Sequence, residues 1–81
     1  MIGIVLRTGP KGYGFVQVTG TTKQVYFNAS TLRPLWRGGL AWEDCRPGVS
    51  VEFEIGTMQD GREIAIDIRP AAKPGERPEL N

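Results

Sequence analysis

Two short runs of alternating character constrain this chain more than anything else in it. They are Tyr13-Gly14-Phe15-Val16-Gln17-Val18 and, after a short connection, Val25-Tyr26-Phe27-Asn28. Side chains on a strand alternate between faces, so Tyr13, Phe15 and Gln17 project from one side and Gly14, Val16 and Val18 from the other. The second run likewise sets Tyr26 and Asn28 against Val25 and Phe27. Thr19-Gly20-Thr21-Thr22 between them suits a hairpin. The paired ribbon then has an aliphatic side fit for a core and an outer side carrying Lys11, Tyr13, Phe15, Gln17, Tyr26 and Asn28. Exposed rings in a group mark a contact surface. Unpaired bases fit such a surface, because every base has a π-face and every nucleotide a phosphate.

The run Lys11-Gly12-Tyr13-Gly14-Phe15 on an early strand, followed by Val25-Tyr26 and then Ser30, resembles the paired RNA-binding motifs of cold-shock domains. Those are small OB-type barrels that bind single strands. Residues 11–18 also nearly fit the first motif of RRM domains, failing only at Val18. Order separates the two, since an RRM places this motif late and after its partner, whereas here it begins at residue 11 and the partner follows. The chain therefore resembles a divergent cold-shock protein, and departs from that family in its first strand. Where the family has Gly-x-Val-Lys-Trp-Phe-Asn, this chain has Gly3-Ile4-Val5-Leu6-Arg7-Thr8-Gly9. Gly3 and Val5 match, but the family's stacking Trp falls at Arg7 and its Phe at Thr8, and the connection to Lys11 is one residue shorter. Two roles are open to Arg7: stacking through its guanidinium plane, or pairing with a carboxylate. In the second motif the family's Val-Phe-Val-His corresponds to Val25-Tyr26-Phe27-Asn28. Asn28 is open to a base edge or to capping the turn that follows, and Ser30 to capping a short helical turn.

Residues 31–48 are the least family-like segment and hold both tryptophans. Cations alternate there with large apolar groups, and Gly38-Gly39 argues for a bent lobe rather than a helix. The lobe is either a second binding surface or a plug for the barrel end. One tryptophan is expected inside and one outside. Trp42 falls near a position where cold-shock domains often keep a stacking loop Phe, so Trp42 is expected to stack on a base. Trp36, beside Leu35, is expected to plug the barrel.

After Pro47-Gly48 alternation returns. Val49, Val51, Phe53 and Ile55 form one strand face; Gln59-Asp60-Gly61 makes a hairpin; Ile64, Ile66 and Ile68 are the expected inward residues of the next strand. The outer face of that pair carries Glu52, Glu54, Glu63 and Asp67, which should repel phosphate and direct binding to the opposite side. Five strands, the first over residues 2–7, with a long break between the third and fourth fit an all-β, five-stranded antiparallel OB-fold barrel over residues 1–70. An SH3-like barrel is the rival. Residues 71–81 are expected to be a disordered tail.

Eighty-one residues suffice for one small domain. One cysteine, Cys45, and no histidine exclude an internal disulfide, a Cys/His zinc site and histidine-based catalysis. Cys45 is expected to act as a small hydrophobe. No nucleophile stands beside a base and there is no phosphate loop, so neither catalytic residues, metal nor cofactor is expected. No apolar run resembles a signal peptide or a membrane span, which points to a cytoplasmic protein. The net charge of +1 divides unevenly: residues 1–46 hold six cations and two acids, +4, and residues 47–81 hold four and seven, −3. The aromatic motifs lie in the basic half. The expected site is Arg7, Lys11, Tyr13, Phe15, Gln17, Tyr26, Asn28 and Trp42, with Lys23 and Arg33 near the path of the strand. The expected partner is single-stranded RNA or DNA, and the protein a monomer or weak dimer. Resemblance to cold-shock proteins implies an RNA chaperone or a regulator of transcription or translation. The alternative is a protein-interaction module, an adaptor or inhibitor that binds a protein partner through the loop bearing Trp36 and Trp42.

Overall fold

The computed structural model describes residues 1–71, so the expected tail lies outside the described residues from position 72 on. Strands β1 (Ile2–Thr8), β2 (Tyr13–Val18), β3 (Gln24–Asn28), β4 (Ser50–Thr57) and β5 (Glu63–Pro70) close into a barrel in the order β1-β2-β3-β5-β4. This is the all-β OB-type barrel expected from the strand pattern. One feature differs from an antiparallel barrel: β3 and β5 run parallel, with Tyr26 opposite Ile64, while the other four seams are antiparallel. A ring with an odd number of strands cannot alternate direction throughout, so one seam must be parallel.

Period-two alternation delivers Val5, Val16, Val25, Phe27, Val51 and Phe53 to the interior, where Ala65 and Ile68 of β5 and Cys45 of the loop join them. Two glycines make room for the two phenylalanines. A Cβ on Gly3 would stand 2.5 Å from the Gln17 carbonyl oxygen and 3.0 Å from the Phe53 ring; one on Gly14 would stand 2.5 Å from the Arg7 carbonyl and 3.0 Å from Phe27. Small residues on β1 and β2 thus face large ones on β4 and β3, which is how a narrow barrel fills its lumen.

In β5 the simple alternation fails. Ala65 and Ile68 are the buried residues, and Ile66 is exposed. The pairing with β4 shifts between Glu52 and Glu54, and Asp67 has a φ of 54°, unusual for a non-glycine residue. This bulge adds a residue between Ala65 and Ile68 and reverses the face that Ile66 presents. The local cost of the left-handed backbone is offset by contacts. Arg33 clamps the Asp67 carboxylate with Nε–Oδ1 and Nη2–Oδ2 both at 2.8 Å, and Arg69 donates to the Asp67 carbonyl at 2.9 Å. The Arg33 hydrogen bonds hold the Asp67 carboxyl below its usual range.

The connection from β3 to β4 contains three single-turn 3-10 segments, Ala29–Thr31, Leu35–Arg37 and Trp42–Asp44. Asn28, not Ser30, caps the first: its Oδ1 accepts from the Ser30 backbone at 2.9 Å, and Thr31 Oγ1 accepts from the Asn28 N–H at 3.3 Å. The segment then bridges to β5 through Leu32 and Ile68, and Arg33 N–H donates to the Ile68 carbonyl at 2.8 Å. It returns beside β1, where Val5 N–H reaches the Val49 carbonyl at 2.9 Å. This loop closes the barrel end at which β1, β3 and β5 finish and β2 and β4 begin. Leu40 and Trp42 pack on the core from it, and Trp42 meets Phe27 with ring centroids 5.8 Å apart.

Cys45 is buried, as its expected role as a small hydrophobe requires. Burial, and secondarily Asp44, push its thiol up to about 11. At neutral pH almost no thiolate exists to react. A thiol-specific reagent is therefore expected to leave the native protein unlabelled and to label it stoichiometrically in denaturant. Rapid labelling of the native protein would contradict this burial.

Candidate nucleic-acid interface

The outer face of β1, β2 and β3 gathers most of the residues singled out in the sequence. Strand register sets Arg7 opposite Phe15 and Phe15 opposite Tyr26, making one row across three strands, with Tyr13 opposite Asn28 in the next. Tyr13 and Tyr26 lie nearly parallel at 6.3 Å and 23°, while Phe15 meets Tyr26 edge-on at 6.0 Å and 74°. Tyr13 is the most open ring at 41% exposure; Phe15 and Tyr26 are half-buried. Edge-to-face packing fixes the rings relative to one another.

Arg7 takes the stacking role. Its guanidinium carbon lies 4.5 Å from the Phe15 ring centroid, and it forms no ion pair among the described residues. A planar cation on a ring is a surface a base can continue. Tyr13 is seated by the turn before it: Gly9 N–H donates to the Tyr13 carbonyl at 2.7 Å, and a Cβ on Gly9 would come within 3.2 Å of the tyrosine ring. Gly12, at φ 84°, turns the chain there and leaves Lys11 exposed.

Asn28 serves chiefly as the cap described above, and its Nδ2 donates to the Tyr26 hydroxyl at 3.4 Å. It thus holds Tyr26 in place. Gln17 Nε2 donates to the Thr21 carbonyl at 2.7 Å and braces the hairpin. Both lie on the aromatic face, but their amide groups already have partners.

The tryptophans divide as expected, one in and one out, but with their identities exchanged. Trp42 packs inward on Phe27, away from the aromatic face, and Trp36 is 83% exposed with Leu35 at 65%. A signal for this was present in the sequence. Pro34 opens and Gly38 closes a single turn, which puts residues 35–37 at an apex with nothing to pack on. Trp42 instead begins the return toward β4.

Ion pairing corrects the electrostatic expectation. Lys23 binds Glu63 at 2.6 Å, and Arg33 is committed to Asp67 at 2.8 Å. Arg69 stands 3.4 Å from Glu52, 3.3 Å from Glu54 and 3.2 Å from Asp67. The four carboxylates expected to repel phosphate are thus largely neutralised by three cations, and exclusion from that face no longer locates a site. What distinguishes the opposite region is the reverse property. Among the described cations, Arg7, Lys11, Arg37 and Arg46 form no ion pair. All four stand on segments meeting at the barrel end next to Tyr13 and Asn28.

The sequence matches no known protein-family model, and no curated protein matches it. No helix among the described residues is long and apolar enough to cross a membrane.

Proposed function

We propose that the protein binds single-stranded nucleic acid, RNA or DNA, on the outer face of β1–β3, and that it does so as a binding protein and not as a catalyst. One observation carries the reading. Tyr13, Phe15 and Tyr26 form an ordered aromatic cluster on a solvent face, with the Arg7 guanidinium on Phe15, at the end of the barrel where the unpaired cations gather. Stacking needs unpaired bases, and each stack contributes about 1–3 kcal/mol. Resemblance to cold-shock domains supports an intracellular role as an RNA chaperone or regulator acting as a monomer or weak dimer. A second reading, docking of a protein partner on the loop, draws on the exposure of Leu35 and Trp36.

A salt titration against oligo-dT, oligo-U and a duplex of equal length tests the proposal. Single strands are expected to bind more tightly than the duplex. With roughly three or four unpaired cations available, log K should fall against log salt with a slope of about −2 to −3, at roughly 0.7 per phosphate. Equal affinity for duplex and single strand at moderate salt would exclude base stacking on this face.

A further inference from the structure

We infer that Trp36 is a second base-stacking platform, so that a bound strand runs from the Phe15–Tyr26–Tyr13 cluster over the barrel rim to the tip of the β3–β4 loop. The inference rests on the single-strand reading above and extends it to a particular residue.

Four features of the tip point this way. First, the ring is held out on a rigid knuckle. Arg37 and Gly39 N–H groups both donate to the Pro34 carbonyl at 3.0 Å, and Gly38 N–H to the Leu35 carbonyl at 3.0 Å. Gly38 ends the turn at φ 82°. Gly39 lies so close to the incoming strand of the loop that any Cβ would overlap the Arg33 carbonyl, and Arg33 is itself fixed to Asp67. Exposed tryptophan on a floppy loop would lose entropy on stacking; this one is already placed.

Second, Arg37 holds its guanidinium carbon 5.9 Å from the Trp36 ring centroid and makes no ion pair among the described residues. A ring with an adjacent cation provides both partners that a nucleotide needs. Third, residues 29–42 contain no Asp or Glu to repel phosphate. Fourth, Trp36 lies eight residues after Asn28, on the loop that closes the barrel end where Arg7, Lys11 and Arg46 stand; the only carboxylates on that loop, Glu43 and Asp44, come after Trp42 on the return to β4. The resemblance to cold-shock domains pointed instead to Trp42, which packs inward against Phe27 and the core. A protein partner would also use an exposed tryptophan, but the accumulation of unpaired cations favours a polyanion.

The test compares the parent protein with Trp36→Ala on oligo-dT of about 4 and about 16 nucleotides, the span of site sizes for such barrels. Thermal melts confirm that the variant is folded. Trp36→Ala is expected to weaken binding of the long strand roughly tenfold and to change the short one little, since a short strand occupies the β1–β3 face alone. Tryptophan emission of the parent should be quenched by the long strand, and that of Trp36→Ala, which reports only Trp42, should not. If Trp36→Ala binds both strands as the parent does and parent emission is unchanged, while Phe15→Ala loses binding, the tip is not part of the nucleic-acid site and the inference fails although the single-strand reading stands. If the parent binds neither strand, both fail together.

Discussion

Trp42→Ala is expected to lower the stability of the barrel by about 2–3 kcal/mol, the lower part of the range for removing a large core ring because Trp42 is only partly buried. In a domain of this size that corresponds to a fall in melting temperature of about 10 °C or more. The reason lies in what Trp42 covers. Phe27 is fully buried against Gly14, and the tryptophan closes that end of the lumen at 5.8 Å from it, with Leu40 packed alongside. Truncation opens a cavity beside Phe27 that neither Gly14 nor Gly3 can fill. Trp36→Ala, by contrast, removes a ring that is 83% exposed and should leave the melting temperature within about a degree or two of the parent, as surface substitutions do. Paired thermal denaturations of the two variants decide the matter. A destabilised Trp36→Ala beside an unaffected Trp42→Ala would reverse the packing described here.

Phe15→Ala is expected to weaken binding of oligo-dT or oligo-U by roughly tenfold or more at physiological salt, and Lys11→Ala by less. Phe15 sits in the middle of the row Arg7-Phe15-Tyr26, edge-on to Tyr26 and beneath the Arg7 guanidinium. Its loss therefore removes one stacking surface, releases Arg7 and frees Tyr26 to reorient, so the about 1–3 kcal/mol for a single stack is compounded. Lys11 is exposed on a turn and contributes about one phosphate contact, screened by salt. Fluorescence anisotropy with both variants verified as folded measures the difference. Greater loss in Lys11→Ala than in Phe15→Ala would mean that charge, not stacking, holds the strand.

The outline of the fold was legible because period-two alternation survives in any strand with one face buried. Residues 13–18 and 25–28 fixed a hairpin with its rings outward, and Gly61 in Gln59-Asp60-Gly61 supplied the left-handed turn between β4 and β5, at φ 91°. Where alternation misled was β5. Ile64-Ala65-Ile66-Asp67-Ile68 reads as isoleucines inward, yet the bulge at Asp67 buries Ala65 and Ile68 and exposes Ile66. A bulge depends on a partner strand and on Arg33, thirty-four residues away, so no local pattern announces it.

Sequence by itself determined the faces of β2 to β4, the barrel class and the identity of the aromatic cluster, because each follows from the spacing of side chains along one strand or across one short turn. It also determined that one tryptophan would be inside and one outside. The tertiary structure alone decided which: both residues sit in loops rich in Arg, Leu and Gly, and their fates depend on where the chain crosses the open barrel end. It decided the electrostatics as well. Formal charge counted Lys23 and Arg33 as available, but strand closure brings Glu63 and Asp67 to them at 2.6 and 2.8 Å. Ion pairing joins residues that are distant in sequence and near in space, so the cations left over for a ligand, Arg7, Lys11, Arg37 and Arg46, become identifiable only once the barrel has closed.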